Sequence, residues 1–252
     1  MIGIIQAEYI KYKRTFMKGL MILAPLFFVI LALPQKLFMP DNYLRPWQIL
    51  IDLVYNWWPV IFIPIGIALF AVLVNSQEKR AGNYRAIRSH DVSPGSIWVG
   101  KIVVMAIHTL FATFILIFAV LISGVITANG NIPWFKIFIG AFIVWLTSLA
   151  IIPLQLWIVS WKGTFASIIL GILGSIVGVV AASKAYWIYV PWSWPVRLMC
   201  PIIGVHPNGV PLESNSLLLD SSVIVIGIIV SLSAFIIFTF LTAIWFERRE
   251  IR

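Results

Sequence analysis

The sequence is poor in cysteine, histidine and charge, and each shortage excludes a class of protein. It has 252 residues with one cysteine, Cys200, and three histidines, so an internal disulfide is excluded and no His/Cys cluster has metal-site spacing. Charged residues make up 11%, against about 25% in soluble domains. Hydrophobic residues reach 61%, which is more than a soluble core can bury. The composition therefore indicates a membrane protein.

Long uncharged apolar stretches are the main positive feature of the sequence. A helix needs about 20 apolar residues to cross a bilayer. On this basis we predict six membrane-spanning helices, at about 19–35, 55–75, 102–127, 137–161, 163–183 and 221–246. The predicted fold is an all-α integral membrane protein, with residues 1–252 forming one transmembrane domain.

The basic residues predict the orientation of these spans. Of the 18 Lys and Arg residues, the segments on one side of the membrane hold only Lys36, Arg45, Lys136, Lys184 and Arg197. By the positive-inside rule the other side is cytoplasmic, and it includes both termini. The net charge of +9 comes from basic residues beside the span ends and in short loops, where anionic lipid headgroups attract them. Nucleic-acid binding is therefore not expected.

Residues 2–18 have the pattern of an amphipathic helix lying on the cytoplasmic face. Ile2, Ile5, Tyr9, Tyr12 and Phe16 recur at spacings of three and four and share one face. The opposite face carries Glu8, Lys11, Arg14, Thr15 and Lys18. This arrangement predicts an interfacial helix with its apolar face in the bilayer, while a plain extension of the first span is the alternative.

The segment 75–101 is the one substantial cytoplasmic loop between spans, and it carries charges of both signs. We predict that it contains a short helix that docks onto a partner, although a solvated loop would also be basic. The residues assigned to this contact are Glu78, Arg80, Gly82, Tyr84, Arg85, Ile87 and Arg88. Ser93 and Pro94 predict the start of the next helix, as N-cap and first helical residue.

The segment 184–220 is predicted to be extracellular and broken into short or re-entrant pieces. Its prolines forbid one continuous helix, and its aromatic residues suit the membrane interface. Trp187, Trp192 and Trp194 are candidates for substrate contact, with simple anchoring in the interface as the alternative.

Two motifs resemble known sites but lack essential parts. Residues 95–101 match the front of a phosphate-binding G-x-x-x-x-G-K loop, yet Ile102 stands where a Ser or Thr would hold magnesium. We therefore expect no ATP binding by this chain. His108 is the one ionisable residue well inside a predicted span, and it has no acid or second His at helical spacing. We interpret it as a polar residue satisfied by a neighbouring helix.

The predicted spans contain small residues and prolines that affect how their helices pack and bend. Gly171, Gly174 and Gly178 lie on one face of the fifth span, where a second helix can approach closely, either within the chain or from another copy. Pro25, Pro64 and Pro153 are predicted to kink the first, second and fourth spans.

Together these parts resemble the permease subunit of ABC-2-type ABC transporters. Glu78 and Gly82 match the E-x-x-x-G of that family, and Ser93 through Gly100-Lys101 is similar to its Ser-containing turn and G-K at the third span. More narrowly, the whole chain looks like lantibiotic immunity permeases of the MutE/EpiE group.

The resemblance implies a non-catalytic permease in a bacterial cytoplasmic membrane. It implies that a separate ATP-binding subunit supplies ATP and magnesium, and that a second homologous permease or another copy completes the pump. The implied substrate is an amphipathic antimicrobial peptide, expelled to protect the cell that makes it. An exporter of another amphipathic or lipid-like substrate, or a membrane scaffold with no transport cycle, are the alternatives.

Overall fold

The computed structural model describes residues 1–12, 15–38, 45–80 and 92–250. The described chain is almost entirely helical. Its α-helices are α1 (Ile2–Lys11), α2 (Met17–Phe38), α3 (Trp47–Trp57), α4 (Ile63–Arg80), α5 (Pro94–Thr127), α6 (Trp134–Ser148), α7 (Ile151–Lys162), α8 (Thr164–Ala182), α9 (Ser193–Ile203) and α10 (Ser222–Glu250).

Within these described ranges, five helices are long and apolar enough to cross a membrane, and a sixth span results if the bent pair α6 and α7 is counted as one. The all-α membrane fold predicted from the sequence is therefore confirmed. The helical segments are longer than most of the predicted spans. The second predicted span, 55–75, lies inside a helical stretch that runs from Trp47 to Arg80.

Two of the prolines lie at breaks in the helices. Trp58–Phe62 forms a π-helical turn between α3 and α4, just before Pro64, whose missing N–H leaves the carbonyl of Val60 without its helical donor. The Ser175 hydroxyl on α8 donates a hydrogen bond to that carbonyl. Likewise α6 and α7 meet at a 40° bend shortly before Pro153. The bend confirms the kink predicted at Pro153, whereas at Pro64 the irregularity is a π-helical turn within a stretch that runs from Trp47 to Arg80. Pro25 lies inside the continuous helix α2, so the break in the helix expected there is not seen.

The first helix differs from the prediction of an interfacial helix over 2–18. It ends at Lys11, and α2 begins at Met17. Its orientation is also different, because Glu8 is 3% exposed while Ile2 is 76% exposed. Assigning Glu8 to the water-facing side was wrong, because this carboxylate has partners inside the protein that an isolated helical wheel does not contain.

The core is built around α5, which packs against α1, α2, α6 and α10. Ser93 caps α5 by accepting a hydrogen bond from the backbone N–H of Ser96 at 3.2 Å, with Pro94 as the first helical residue, as the sequence predicts. The turn between α7 and α8 is made by Gly163, whose φ of +90° suits glycine. We call the end of the bundle where α1 meets the last turns of α4 the α1 end, and the end where α9 meets the first turns of α3 the α9 end.

The segment between α8 and α10 is broken, as predicted. It contains a 3-10 turn at Ala185–Tyr189, the buried helix α9, a backbone bridge between Val205 and Pro211, and a second 3-10 turn at Leu217–Leu219. Helix α9 packs against α6 and α8 rather than lying on the surface.

Candidate functional site: a buried charge cluster at the α1 end

Four charged side chains from three helices meet at the α1 end of the bundle. Glu8 and Lys11 come from α1, Glu78 comes from the last turns of α4, and Lys101 comes from α5. The Lys101 ammonium lies 2.9 Å from Glu8 Oε2 and also donates to Glu78. Lys11 Nζ lies 2.6 Å from Glu8 Oε1 and 2.8 Å from Glu78 Oε1. We call these four residues the charge cluster.

Three of the four residues of the charge cluster are almost completely removed from solvent. Lys101 is 0% exposed, Glu8 3% and Glu78 5%, whereas the Lys11 side chain is 40% exposed. Burying an unpaired charge costs several kcal/mol, and excellent pairing is needed to offset that cost. Two carboxylates here balance two ammonium groups, so the cluster is neutral as a unit. Because each lysine contacts both acids, the charge cluster holds α1, α4 and α5 together.

Gly100 allows α1 to come this close to α5. A Cβ atom at residue 100 would lie 2.8 Å from the Ile4 side chain, which is closer than real contacts allow. Glycine therefore permits the close approach of α1, and the next residue, Lys101, binds the carboxylate that α1 carries. The adjacent pair Gly100-Lys101 thus has a joint structural role.

Further hydrogen bonds fix α1 on the bundle. The Tyr12 hydroxyl donates to Glu8 Oε2 at 3.3 Å, and Gln77 Nε2 donates to the backbone carbonyl of Lys11 at 3.0 Å. Burial acts to lower the pKa of Lys11, but the hydrogen bonds and charges of Glu78 and Glu8 outweigh it and leave that pKa above its ordinary value. Lys11 is thus held in its charged form.

The predicted partner-docking residues are only partly within the described structure. Glu78 belongs to the charge cluster, and Arg80 lies exposed at the end of α4. An open cleft of about 660 Å³ is lined by Lys11, Glu78 and Arg80 among others. Further predicted docking residues lie outside the described residues, namely Gly82, Tyr84, Arg85, Ile87 and Arg88.

The three tryptophans suggested as substrate contacts pack inside the protein. Trp187 and Trp194 are 8% and 3% exposed, and Trp194 Nε1 donates to the carbonyl of Ile188 at 3.0 Å. Trp192 packs against α8. Their contact with a substrate stays a prediction. The exposed aromatic side chains of this segment are Tyr186 and Tyr189.

The small-residue face of α8 faces its own chain. A Cβ on Gly171 would meet Ala68 at 3.0 Å, and one on Gly174 or Gly178 would lie 2.4 or 2.7 Å from Trp192. All three glycines are buried, so this face is occupied by α4 and by the segment before α9. Their packing is therefore internal in this structure.

A second polar network, which the sequence reasoning missed, lies at the α9 end. Gln48 and Asp52 are on one face of α3, and Gln48 Nε2 donates to Asp52 Oδ1 at 2.7 Å and to the carbonyl of Ile203 at 2.9 Å. Lys136 Nζ donates to Gln48 Oε1 at 2.9 Å. Asn56, one turn further on, donates to the carbonyl of Pro207 at 3.0 Å. This network ties the end of α9 to α3, and the i, i+4, i+8 polar spacing was its signal in the sequence.

Sequence reasoning also missed Glu8 and Lys101 as members of the main site. Lys101 lies two turns inside a helix that is otherwise apolar, and such a residue in a membrane protein requires a charged or polar partner. With nine acidic residues in the whole chain, few partners are available. This scarcity was a usable signal for the pairing.

The residues of the incomplete phosphate-binding motif are helical, so they do not form a phosphate loop. Residues 95–101 belong to the first turns of α5, and the Lys101 ammonium is held by two carboxylates.

The interpretation of His108 as satisfied by a neighbouring helix needs correction, because His108 Nδ1 contacts the carbonyl of Val104 in its own helix at 2.7 Å. The rings of Tyr9 and Tyr12 lie 5.4 and 5.7 Å from the imidazole. Among the described residues, no group of three His, Cys, Asp or Glu could hold a metal ion.

One comparison with known proteins identifies a family. The family model described as "ABC-2 family transporter protein" matches residues 4–178, which include the charge cluster and run from within α1 into α8. No curated protein and no solved structure matches the chain.

Proposed function

The chain belongs to the ABC-2 family of transporter proteins, and from this premise we propose that it is the permease subunit of an ATP-driven exporter. Membership of the family makes it a multi-pass membrane permease of an ABC transporter, a class of subunit that is generally non-catalytic and works with an ATP-binding partner. The finer assignments are ours: a bacterial cytoplasmic membrane, both termini in the cytoplasm, and ATP and magnesium bound by the partner.

The charge cluster is the observation that supports a coupling role. Glu78 lies near the end of α4 and is the first of the residues that we propose dock on the ATP-binding subunit. A displacement of those residues would act directly on Glu78. Through Lys101 the displacement would reach α5, and through Lys11 it would reach α1, since each lysine contacts Glu78.

The packing of α2 extends this proposed path into the membrane. Helix α2 follows α1 in the chain and lies along α5. A movement of α1 together with α5 would therefore also displace α2. The cluster suits a link of this kind because buried ion pairs resist separation, so the three helices would move as one unit.

We propose that the substrate is an amphipathic antimicrobial peptide of the lantibiotic type, expelled to give the producing cell immunity. The sequence resemblance to lantibiotic immunity permeases supports this assignment, together with exposed Tyr186 and Tyr189 beside α9. A cation-π contact with a cationic peptide is worth about 0.5 to 2 kcal/mol, which suits transient capture. A second homologous permease or another copy would complete the pump.

The test uses cells that make the chain together with the ATP-binding subunit. Glu78→Gln removes the charge of one cluster member and keeps its shape. Glu213→Gln is the control, because Glu213 is an exposed acid in the segment between α9 and α10. We expect Glu78→Gln to abolish peptide resistance and peptide-stimulated ATP hydrolysis when both are compared at equal amounts of chain in the membrane. Glu213→Gln should behave as the parent does.

Three outcomes would contradict parts of the proposal. Full resistance in the Glu78→Gln variant would show that the charge cluster has no part in coupling. ATP-dependent export of a lipid-like substrate, with no peptide resistance, would retain the exporter and replace the substrate. A parent chain that binds the ATP-binding subunit but never stimulates hydrolysis or export would instead indicate a scaffold.

A further inference from the structure

A ladder of aromatic rings joins the ends of α7 and α10 at the α1 end of the bundle. Trp157 and Trp161 on α7 stack with their ring centres 5.2 Å apart. Trp157 also contacts Trp245 of α10 edge-on at 6.2 Å. The three indoles therefore form one continuous surface across two helices.

Each end of the ladder carries a cation. Lys162 Nζ lies 4.3 Å from the centre of the Trp161 ring, and the Arg249 guanidinium lies 5.3 Å from that of Trp245. Arg249 Nη1 also donates to the carbonyl of Ser160 at 2.5 Å. Since Ser160 is two residues before Lys162, this bond brings both cations to the same end of α7. Attraction to the ring faces restrains them there.

These cations have spare binding capacity. Among the acidic residues from Glu8 to Glu247 whose side chains the structure describes, none lies within 4.0 Å of Lys162 or Arg249, and both cations are exposed. Lysine has three N–H donors and arginine has five, of which the contacts above use one. An anion with several oxygen acceptors would satisfy the remainder.

The surroundings of the cations are apolar and exposed. Trp161 is 50% exposed, and Phe165, at the start of α8, is 79% exposed. Exposed indole rings with basic residues at helix ends are typical of the headgroup layer of a bilayer. Basic pockets between spans on the cytoplasmic side bind anionic lipid headgroups.

We propose that Lys162 and Arg249 bind the phosphate of an anionic phospholipid, whose acyl chains lie along Trp161 and Phe165. The site is independent of the transported substrate and of the charge cluster. Its occupant is a lipid of the leaflet at the α1 end, which the positive-inside rule makes the cytoplasmic leaflet.

The test measures lipid retention by the full-length purified chain with native mass spectrometry. Phosphatidylglycerol and phosphatidylcholine are offered separately at equal concentrations. The variant is Lys162→Gln with Arg249→Gln, and the matched control is Lys36→Gln with Lys184→Gln, which removes two exposed cations near the other ends of α2 and α8. At about fivefold per cation, we expect the variant to bind phosphatidylglycerol roughly 25-fold more weakly. The control should bind it as the parent does.

Further measurements distinguish a lipid headgroup from free phosphate, and a lipid from a protein partner. Inorganic phosphate should not displace the lipid at equal concentration; equal displacement would identify a general anion site and overturn the lipid proposal. Equal retention of both lipids by the parent would also overturn it, as would unchanged phosphatidylglycerol binding in the variant. Loss of binding to the ATP-binding subunit by the variant, with unchanged lipid binding, would assign the patch to that protein.

Discussion

Replacing Lys101 with methionine tests the charge cluster most directly. Methionine has a similar length and no charge, so the change removes the ammonium group without opening a large cavity. Glu8 and Glu78 would then face each other with Lys11 as their one remaining partner among the cluster residues. Removing one partner of a buried ion pair costs about 3 to 5 kcal/mol.

We therefore expect a large loss of thermal stability in Lys101→Met. For chains of this length each kcal/mol shifts the unfolding midpoint by about 2 to 4 °C, which gives a fall of about 6 to 20 °C. The assay is tryptophan fluorescence during heating of the purified chain, which has 12 tryptophans. Lys184→Met is the matched control, because Lys184 is exposed and should change the midpoint by about 2 °C or less.

A double variant separates lost charge pairing from lost packing. Lys101→Met with Glu78→Gln removes a carboxylate that Lys101→Met alone leaves poorly compensated. We expect the double variant to be more stable than the sum of the two single changes by about 0.5 to 3 kcal/mol. A Lys101→Met midpoint equal to that of the parent, or strictly additive effects, would refute the argument that these charges stabilise the bundle as a unit.

Three further predictions concern packing, reactivity and orientation. Gly174→Ala places a methyl group 2.4 Å from an indole ring and should cost about 1 to 3 kcal/mol by thermal unfolding, whereas Gly66→Ala, with nothing within 4 Å, should not destabilise the chain. Burial raises the pKa of the Cys200 thiol from 9.0 to about 11, so its reaction with maleimide near pH 7 should be about 100-fold slower than after unfolding. In a Cys200→Ser background, an impermeant maleimide added to intact cells should label Asn215→Cys and not Gly3→Cys; the reverse would overturn the predicted orientation.

The apolar runs and the prolines were sufficient to predict the membrane fold. Uncharged stretches long enough to cross a bilayer leave a helix as the structure that satisfies its own backbone hydrogen bonds. Pro64 and Pro153 each remove a helical hydrogen bond, which accounts for the π-helical turn and the 40° bend beside them, although α2 continues through Pro25. The cap at Ser93 and Pro94 is equally local.

The partners of the polar residues were decided by tertiary structure. The helical pattern of residues 2–18 placed Glu8 on the water-facing side, and that prediction was wrong because Lys101 is 93 positions away in sequence and adjacent in space. Gln48 and Lys136 are likewise brought together only by the packing of α3 and α6.

The sequence by itself thus determined that the chain crosses a membrane and that a helix begins at Ser93 and Pro94, because those properties depend on neighbouring residues along the chain. Tertiary structure alone decided which charges meet, because the energy of a buried ion pair depends on distances of about 3 Å between helices that are far apart in sequence. That is why the buried charge cluster became visible only in the folded protein, although every residue in it could be read from the chain.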